Sequence, residues 1–230
     1  MTPLSTIPLN SWTWLLGSLA CFMLCYRSYN SYKISKSELS KYIALFGLLM
    51  GFGQAWLAVP SFFSLDTNIL GVTYRIGELF IYSSAVAQAA IAWCFFMRPY
   101  MKLRTVTIPI ACIGFVSWLY ALPYATLKIS NNFINYRDPT FSTLVIAAVL
   151  IGLFVPVGIY FLKSAKKEPR LQAKLLASAL GLVYIGVGFF TGGVEILSGQ
   201  VITPRSAIGD LVFFSAMFLV LLWPRRNNRI

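Results

Sequence analysis

Seven apolar runs, each close to the length of a bilayer crossing, divide almost the whole chain, and lysine and arginine cluster in every second gap between them. A transmembrane helix needs about 20 largely apolar residues to cross a hydrocarbon core of about 30 Å. The runs lie at about 9–26, 42–64, 74–97, 106–125, 141–162, 171–197 and 207–223. They predict an all-α integral membrane protein with seven transmembrane helices, forming a single polytopic membrane domain over residues 1–230. No Lys or Arg precedes Arg27, so the first run lacks the basic start of a cleavable signal peptide and reads as a retained helix.

Orientation follows from the basic residues. One set of loops holds Arg27, Lys33, Lys36, Lys41, Arg98, Lys102, Arg104, Lys163, Lys166, Lys167, Arg170, Lys174, Arg225, Arg226 and Arg229, which is 15 of the 19. The opposite side holds Arg75, Lys128, Arg137 and Arg205. Cytoplasmic loops carry the excess of lysine and arginine, so the N-terminus is expected outside, the C-terminus inside, and the chain in the cell membrane. Trp12, Trp14 and Trp118 then fall near outer helix ends and Trp93 and Trp223 near inner ones, as anchors of an aromatic belt.

Composition agrees with lipid as the main partner. Hydrophobic residues make up 58% of the chain and charged residues 11%, against about a quarter charged in soluble domains. The net charge of +12 is spread over loop clusters. It is therefore read as a topology signal, with no nucleic-acid partner expected. The chain contains no histidine, which removes histidine-based haem, zinc and proton-relay chemistry. Cys21, Cys25, Cys94 and Cys112 all fall within predicted helices and are read as packing residues. The last run has no lysine to carry retinal, and no phosphate loop or nucleophile–base pair appears. No metal, no cofactor and no enzymatic activity are expected, and no soluble module accompanies the helices.

Two stretches resemble each other: Ile76-Gly-Glu-Leu-Phe-Ile-Tyr-Ser83 and Ile208-Gly-Asp-Leu-Val-Phe-Phe-Ser215, preceded by Gly51-x-Gly53 and Gly186-x-Gly188. One reading is a parallel repeat of three helices, a linker helix and three helices, as in some sugar transporters. The other is a chance match in a limited apolar alphabet. Gly181, Gly186, Gly188, Gly192 and Gly193 are expected to let the sixth helix approach its neighbours closely. Pro109 and Pro156 are expected to kink their helices.

Ionisable residues within a membrane helix are costly and are functional candidates by default. Glu78 and Asp210 occupy matching places about one turn into the third and seventh helices, and Glu195 lies near the outer end of the sixth. Arg75 precedes Glu78 by three residues and shares its face. In the functional reading these acids line an outward-facing site for a cation, a proton or a polar ligand, extended inward by Gln54 and Gln88. In the plainer reading they sit at headgroup level, paired with Arg75 or Arg205 and favoured by the helix dipole. The predicted shallow depth favours the plainer reading, and Gln54 and Gln88 are then interhelical hydrogen-bonding partners.

Arg170-x-Gln172, Ile202-Thr-Pro204, Gly209-x-Leu211, Trp56 and Tyr74-Arg-Ile-Gly77 together resemble the seven-helix N-terminal sensor region of prokaryotic histidine kinases. The resemblance implies a sensory or receptor role with an outer or membrane-embedded ligand and a signalling partner. It implies no kinase activity, since no kinase domain follows. Three functions are therefore carried forward: a stand-alone sensor acting through a cytoplasmic or membrane partner protein, a small solute or ion transporter of two three-helix bundles, and an accessory subunit of a membrane complex.

Overall fold

The computed structural model describes residues 7–186 apart from 124, 125, 131, 138, 172, 173 and 176. The helices are α1 (Leu9–Ser35), α2 (Glu38–Ala58), α3 (Thr67–Ala92), α4 (Leu103–Ala121) and α5 (Thr140–Lys167), followed by a shorter apolar helix α6 (Ala177–Gly186). A β-hairpin, β1 (Thr126–Ser130) and β2 (Phe133–Arg137), joins α4 to α5. Successive helices run antiparallel. The hairpin end holds the start of α1, and the opposite, basic end holds Lys33, Lys36, Lys41, Arg98, Lys102, Lys163 and Lys167.

Among the described residues, four helical stretches are long and apolar enough to cross a membrane: Glu38–Phe62, Thr67–Met97, Leu103–Ala121 and Thr140–Lys167. The fold is thus that of a mostly helical, membrane-embedded protein. α1 has the length but carries Asn10, Ser11, Thr13 and Ser18, which lower its apolarity and are buried against neighbouring elements. The seventh predicted helix and most of the sixth lie outside the described residues.

Three boundaries differ from the sequence reading, each for a local reason. α1 continues through the polar stretch expected as a loop from Arg27 and stops only at Lys36, whose left-handed backbone (φ 53°) turns the chain into α2. Polarity ends a membrane span but not a helix, whose backbone bonds are made internally. α3 begins seven residues before the expected Tyr74, because Asp66 caps it: the carboxylate accepts from the Asn68 N–H at 2.8 Å. The outer stretch between the fourth and fifth apolar runs holds the hairpin, so the expected all-α fold is amended there. Leu127 and Ile129 pair with Tyr136 and Ile134, and Asn132 takes the tight turn at φ 63°.

Close helix approach is set by glycine. A Cβ on Gly53 would stand 3.1 Å from the Gly77 carbonyl oxygen, and one on Gly77 would stand 3.0 Å from that of Gly53, so α2 and α3 cross backbone to backbone. Gly158 and Gly181 do the same for α5 and α6, with distances of 2.7 and 2.9 Å to the facing carbonyls. Gly181 therefore plays its expected role, whereas Gly186 meets nothing within 4 Å among the described residues; Gly188, Gly192 and Gly193 lie outside the described residues. Both Pro109 and Pro156 lie inside helices that continue past them.

Among the described residues the core has two main centres, with a small third contact of Ala20 and Cys21 against Met50. Phe46, Ala87, Ile91, Leu153, Phe154 and Val157 fill the half toward the basic end. Trp14, Leu57, Ala58, Leu70, Ile134 and Tyr136 fill the hairpin end, so the hairpin is part of the core and not an appendage.

Candidate functional site beneath the hairpin

An asparagine fixes the hairpin. Asn10, in the first turn of α1, donates through Nδ2 to the Ile134 carbonyl at 2.7 Å and accepts from the Ile134 N–H at 3.1 Å. The Leu9 N–H adds a bond to the Asn132 carbonyl at 2.9 Å. The carboxamide thus completes the free edge of β2 as another strand would, satisfying backbone groups that burial leaves no water to serve. The alternation Leu127, Ile129, Ile134, Tyr136 then turns one face of the hairpin toward the helices.

Tyr136 is 1% exposed. Its ring stacks on Tyr74 of α3 at 3.7 Å with an interplanar angle of 10°, and Trp14 of α1 stands 5.8 Å away. Its hydroxyl is buried and has no hydrogen-bond partner among the described residues. Burial pushes the phenol well above the usual tyrosine range, and the charge of Glu78 pushes it further the same way. Glu78 follows Tyr74 by one turn of α3 and is 5% exposed. A buried carboxyl and a buried phenol therefore lie within electrostatic reach of each other beneath the hairpin.

This position differs from the one expected for Glu78. Because α3 starts at Thr67, Glu78 lies about three turns, or about 16 Å, inside the helix rather than in its first turn. The dipole of a helix acts within its first turn, so it does not account for an acid at this depth. Asp66 takes that role instead, as the cap.

The sequence candidates divide into groups. Gly53 and Gly77 make the crossing of α2 and α3, which brings Gln54 and Glu78 to one level. Arg75 stands one turn nearer the hairpin, its carbonyl accepting from the Trp118 indole at 2.9 Å. Gln88 lies about 15 Å further along α3 and is 0% exposed. Neither of its amide atoms, nor the Gln54 side-chain oxygen, has a hydrogen-bond partner among the described residues. Glu195 and Asp210 lie outside the described residues, as do Arg205 and the second half of the repeat.

Sequence reasoning missed Asn10 and Tyr136, read Trp14 only as an interfacial anchor, and used Tyr74 only for the family resemblance. Their signal was present: two alternating stretches around Asn131-Asn132 spell a hairpin. Trp14 and Trp93 are buried, not turned to a lipid interface; the Trp93 indole donates to the Met101 carbonyl at 2.7 Å. At the basic end Arg98 pairs with Glu38 at 3.5 Å and lies over Trp93. That ion pair is largely exposed and contributes at most about 1 kcal/mol.

Fold and apolar surface together define the class: a multi-pass membrane protein whose described helices form one antiparallel bundle, capped by a hairpin. Compared with known proteins, the chain matches no family model and no curated sequence.

Proposed function

We propose that the chain is a stand-alone seven-helix sensor or receptor-like module of the cell membrane. Its N-terminus is outside, its C-terminus is cytoplasmic, and its signal passes to a partner protein at the basic end. The observation that carries this reading is Glu78: a carboxyl 5% exposed, about three turns inside α3 and under Tyr136 of the hairpin. Burying an ionisable group so deep is costly, and such groups gather where a ligand is recognised. The likeness to kinase sensor regions and the clustering of lysine and arginine at the far end support the same direction of signalling. Glu78→Gln tests it. Crosslinking from the loops near Lys41 and Lys166 is expected to recover a partner protein with wild-type chain and to lose or change that product in the variant. Recovery of no partner and no self-association from either chain refutes the sensor.

A transporter is the second reading, favoured by Gln88, a buried amide deeper in α3 than Glu78 with no hydrogen-bond partner among the described residues. It predicts solute uptake into proteoliposomes that falls in Glu78→Gln and Gln88→Leu.

A further inference from the structure

Past its apolar run, which ends near Tyr26, α1 continues as a polar extension to Ser35 that carries Arg27, Tyr29, Tyr32 and Lys33. Long side chains in a helix lean toward its N-terminus, so those of this extension lean back toward the bilayer. Lys33 follows that rule: its Nζ stands 4.6 Å from the centre of the Tyr29 ring, one turn nearer the membrane. The Lys36 Nζ is placed in the same way, 5.7 Å over Tyr32. A lysine that only marks a loop as cytoplasmic has no need to fold toward lipid.

The packing of α1 on α2 sets the depth of these groups. A Cβ on Gly47 would stand 2.7 Å from the Cys21 carbonyl oxygen and 2.9 Å from the Cys25 nitrogen, so the two helices cross there backbone to backbone. They run antiparallel. Moving about six residues from the crossing, forward in α1 and backward in α2, brings Tyr29 level with Lys41, just outside the apolar run of α2. Tyr29 also lies about 4.5 Å past the end of the α1 run, inside the headgroup layer that adds about 5–8 Å to each side of the hydrocarbon core. Tyr26 and Tyr29 are 69% and 48% exposed, and Lys33 and Lys41 are exposed as well.

We propose that Tyr29 and Lys33 bind the phosphate of an anionic lipid headgroup, with Lys41 adding positive charge at the same level. The Lys33 ammonium and the Tyr29 hydroxyl are donors, and a phosphodiester offers only acceptors. The ring under Lys33 holds the ammonium in place before lipid arrives, which lowers the ordering cost of binding. Among the described residues neither lysine is paired with an acid: Glu38 pairs with Arg98 at 3.5 Å, and Glu168 accepts from the Arg170 N–H at 3.1 Å. Residues 211–230 add Arg225, Arg226 and Arg229 and contain no acid. An acidic protein segment is the other partner of suitable charge. It would arrive from the water beyond the helix end, where Ile34 is 86% exposed, and the Lys33 and Lys36 ammonium groups turn away from that side. Binding of lipid here requires a membrane-embedded bundle and depends on neither the sensor nor the transporter reading.

The test titrates the full chain in detergent with phosphatidylglycerol or phosphatidylcholine of the same acyl chains and counts bound lipid by native mass spectrometry. Wild type is expected to bind phosphatidylglycerol more tightly. Lys33→Gln is expected to weaken that binding about fivefold, the effect of one basic residue near a membrane surface, and to leave phosphatidylcholine unchanged. Lys33→Arg is expected to retain the preference. Tyr29→Phe keeps the ring, removes the hydroxyl donor and is expected to lose a smaller part of it. Lys128→Gln removes the same charge at the hairpin end and is expected to change nothing. Equal affinity for the two lipids, or an equal loss in Lys33→Gln and Lys128→Gln, overturns the proposal. Displacement of phosphatidylglycerol by inorganic phosphate also overturns it, since a soluble anion is then the occupant. Capture of polyglutamate by the wild type that is lost in Lys33→Gln, with the lipid preference unchanged, overturns it in favour of an acidic protein.

Discussion

Two side chains at the hairpin end illustrate opposite outcomes for buried polar groups. Asn10 spends both ends of its carboxamide on the Ile134 backbone. Asn10→Ala removes both bonds and leaves a buried N–H and C=O unserved, at a cost of about 1–3 kcal/mol for each such group. Thermal unfolding in detergent is expected to register it, with the hairpin becoming accessible to protease first. Tyr136 is the converse, since its hydroxyl has no hydrogen-bond partner among the described residues. Tyr136→Phe is therefore expected to leave stability unchanged or slightly higher. Its pH signature is more telling. The folded phenol is raised above its ordinary value, so the folded state holds a proton that the unfolded chain releases above about pH 10. The contribution is fully present below that pH and is lost as pH rises further. Wild-type stability is expected to fall on alkaline titration more steeply than that of Tyr136→Phe.

At the scale of elements, helix ends and crossings dominate. Asp66→Ala removes the cap of α3 and is expected to cost about 1 kcal/mol, read as a lower unfolding temperature. Gly77→Leu forces a side chain into the contact between α2 and α3, where even a Cβ would be 3.0 Å from a carbonyl oxygen. Overpacking of this kind costs about 1–3 kcal/mol or more, and hairpin accessibility is expected to rise with it, because the crossing adjoins Glu78. The existence of the long helices was legible in the apolar runs, because a span must be apolar over its whole length. Their ends were not. Residues 67–73 before Tyr74 and 27–35 after Tyr26 are helical without being uniformly apolar, and they are marked by Asp66 and Lys36 rather than by hydropathy. That misplacement made Glu78 look shallow. The hairpin was legible only as alternation around two asparagines, a signal short enough to be overlooked between two strong helices. Arg75, Glu78 and Gln54 were legible as polar residues in apolar surroundings, whereas their aromatic cover depends on contacts between Trp14, Tyr74 and Tyr136 that no local pattern states.

At the scale of the molecule, the ends differ in character: lysine and arginine gather at one, and a hairpin closes the other. The proposed orientation makes the hairpin end extracellular. A membrane-impermeant thiol reagent applied to intact cells is expected to label Lys128→Cys and to spare Lys166→Cys until the membrane is opened, both in a Cys112→Ser background. The reverse pattern refutes the orientation while leaving the bundle intact.

The unbroken run of α1 has a mechanical side. Its first turn is bolted to the turn strand of the cap, and its last turn protrudes among the basic residues, with Tyr26, Tyr29 and Ile34 open at the surface. No proline or glycine interrupts it after Gly17, and about 40 Å of helix separates its two ends. A helix of that kind behaves as a pushrod: a small axial slide or roll at Asn10 arrives at Lys33 with little lost on the way.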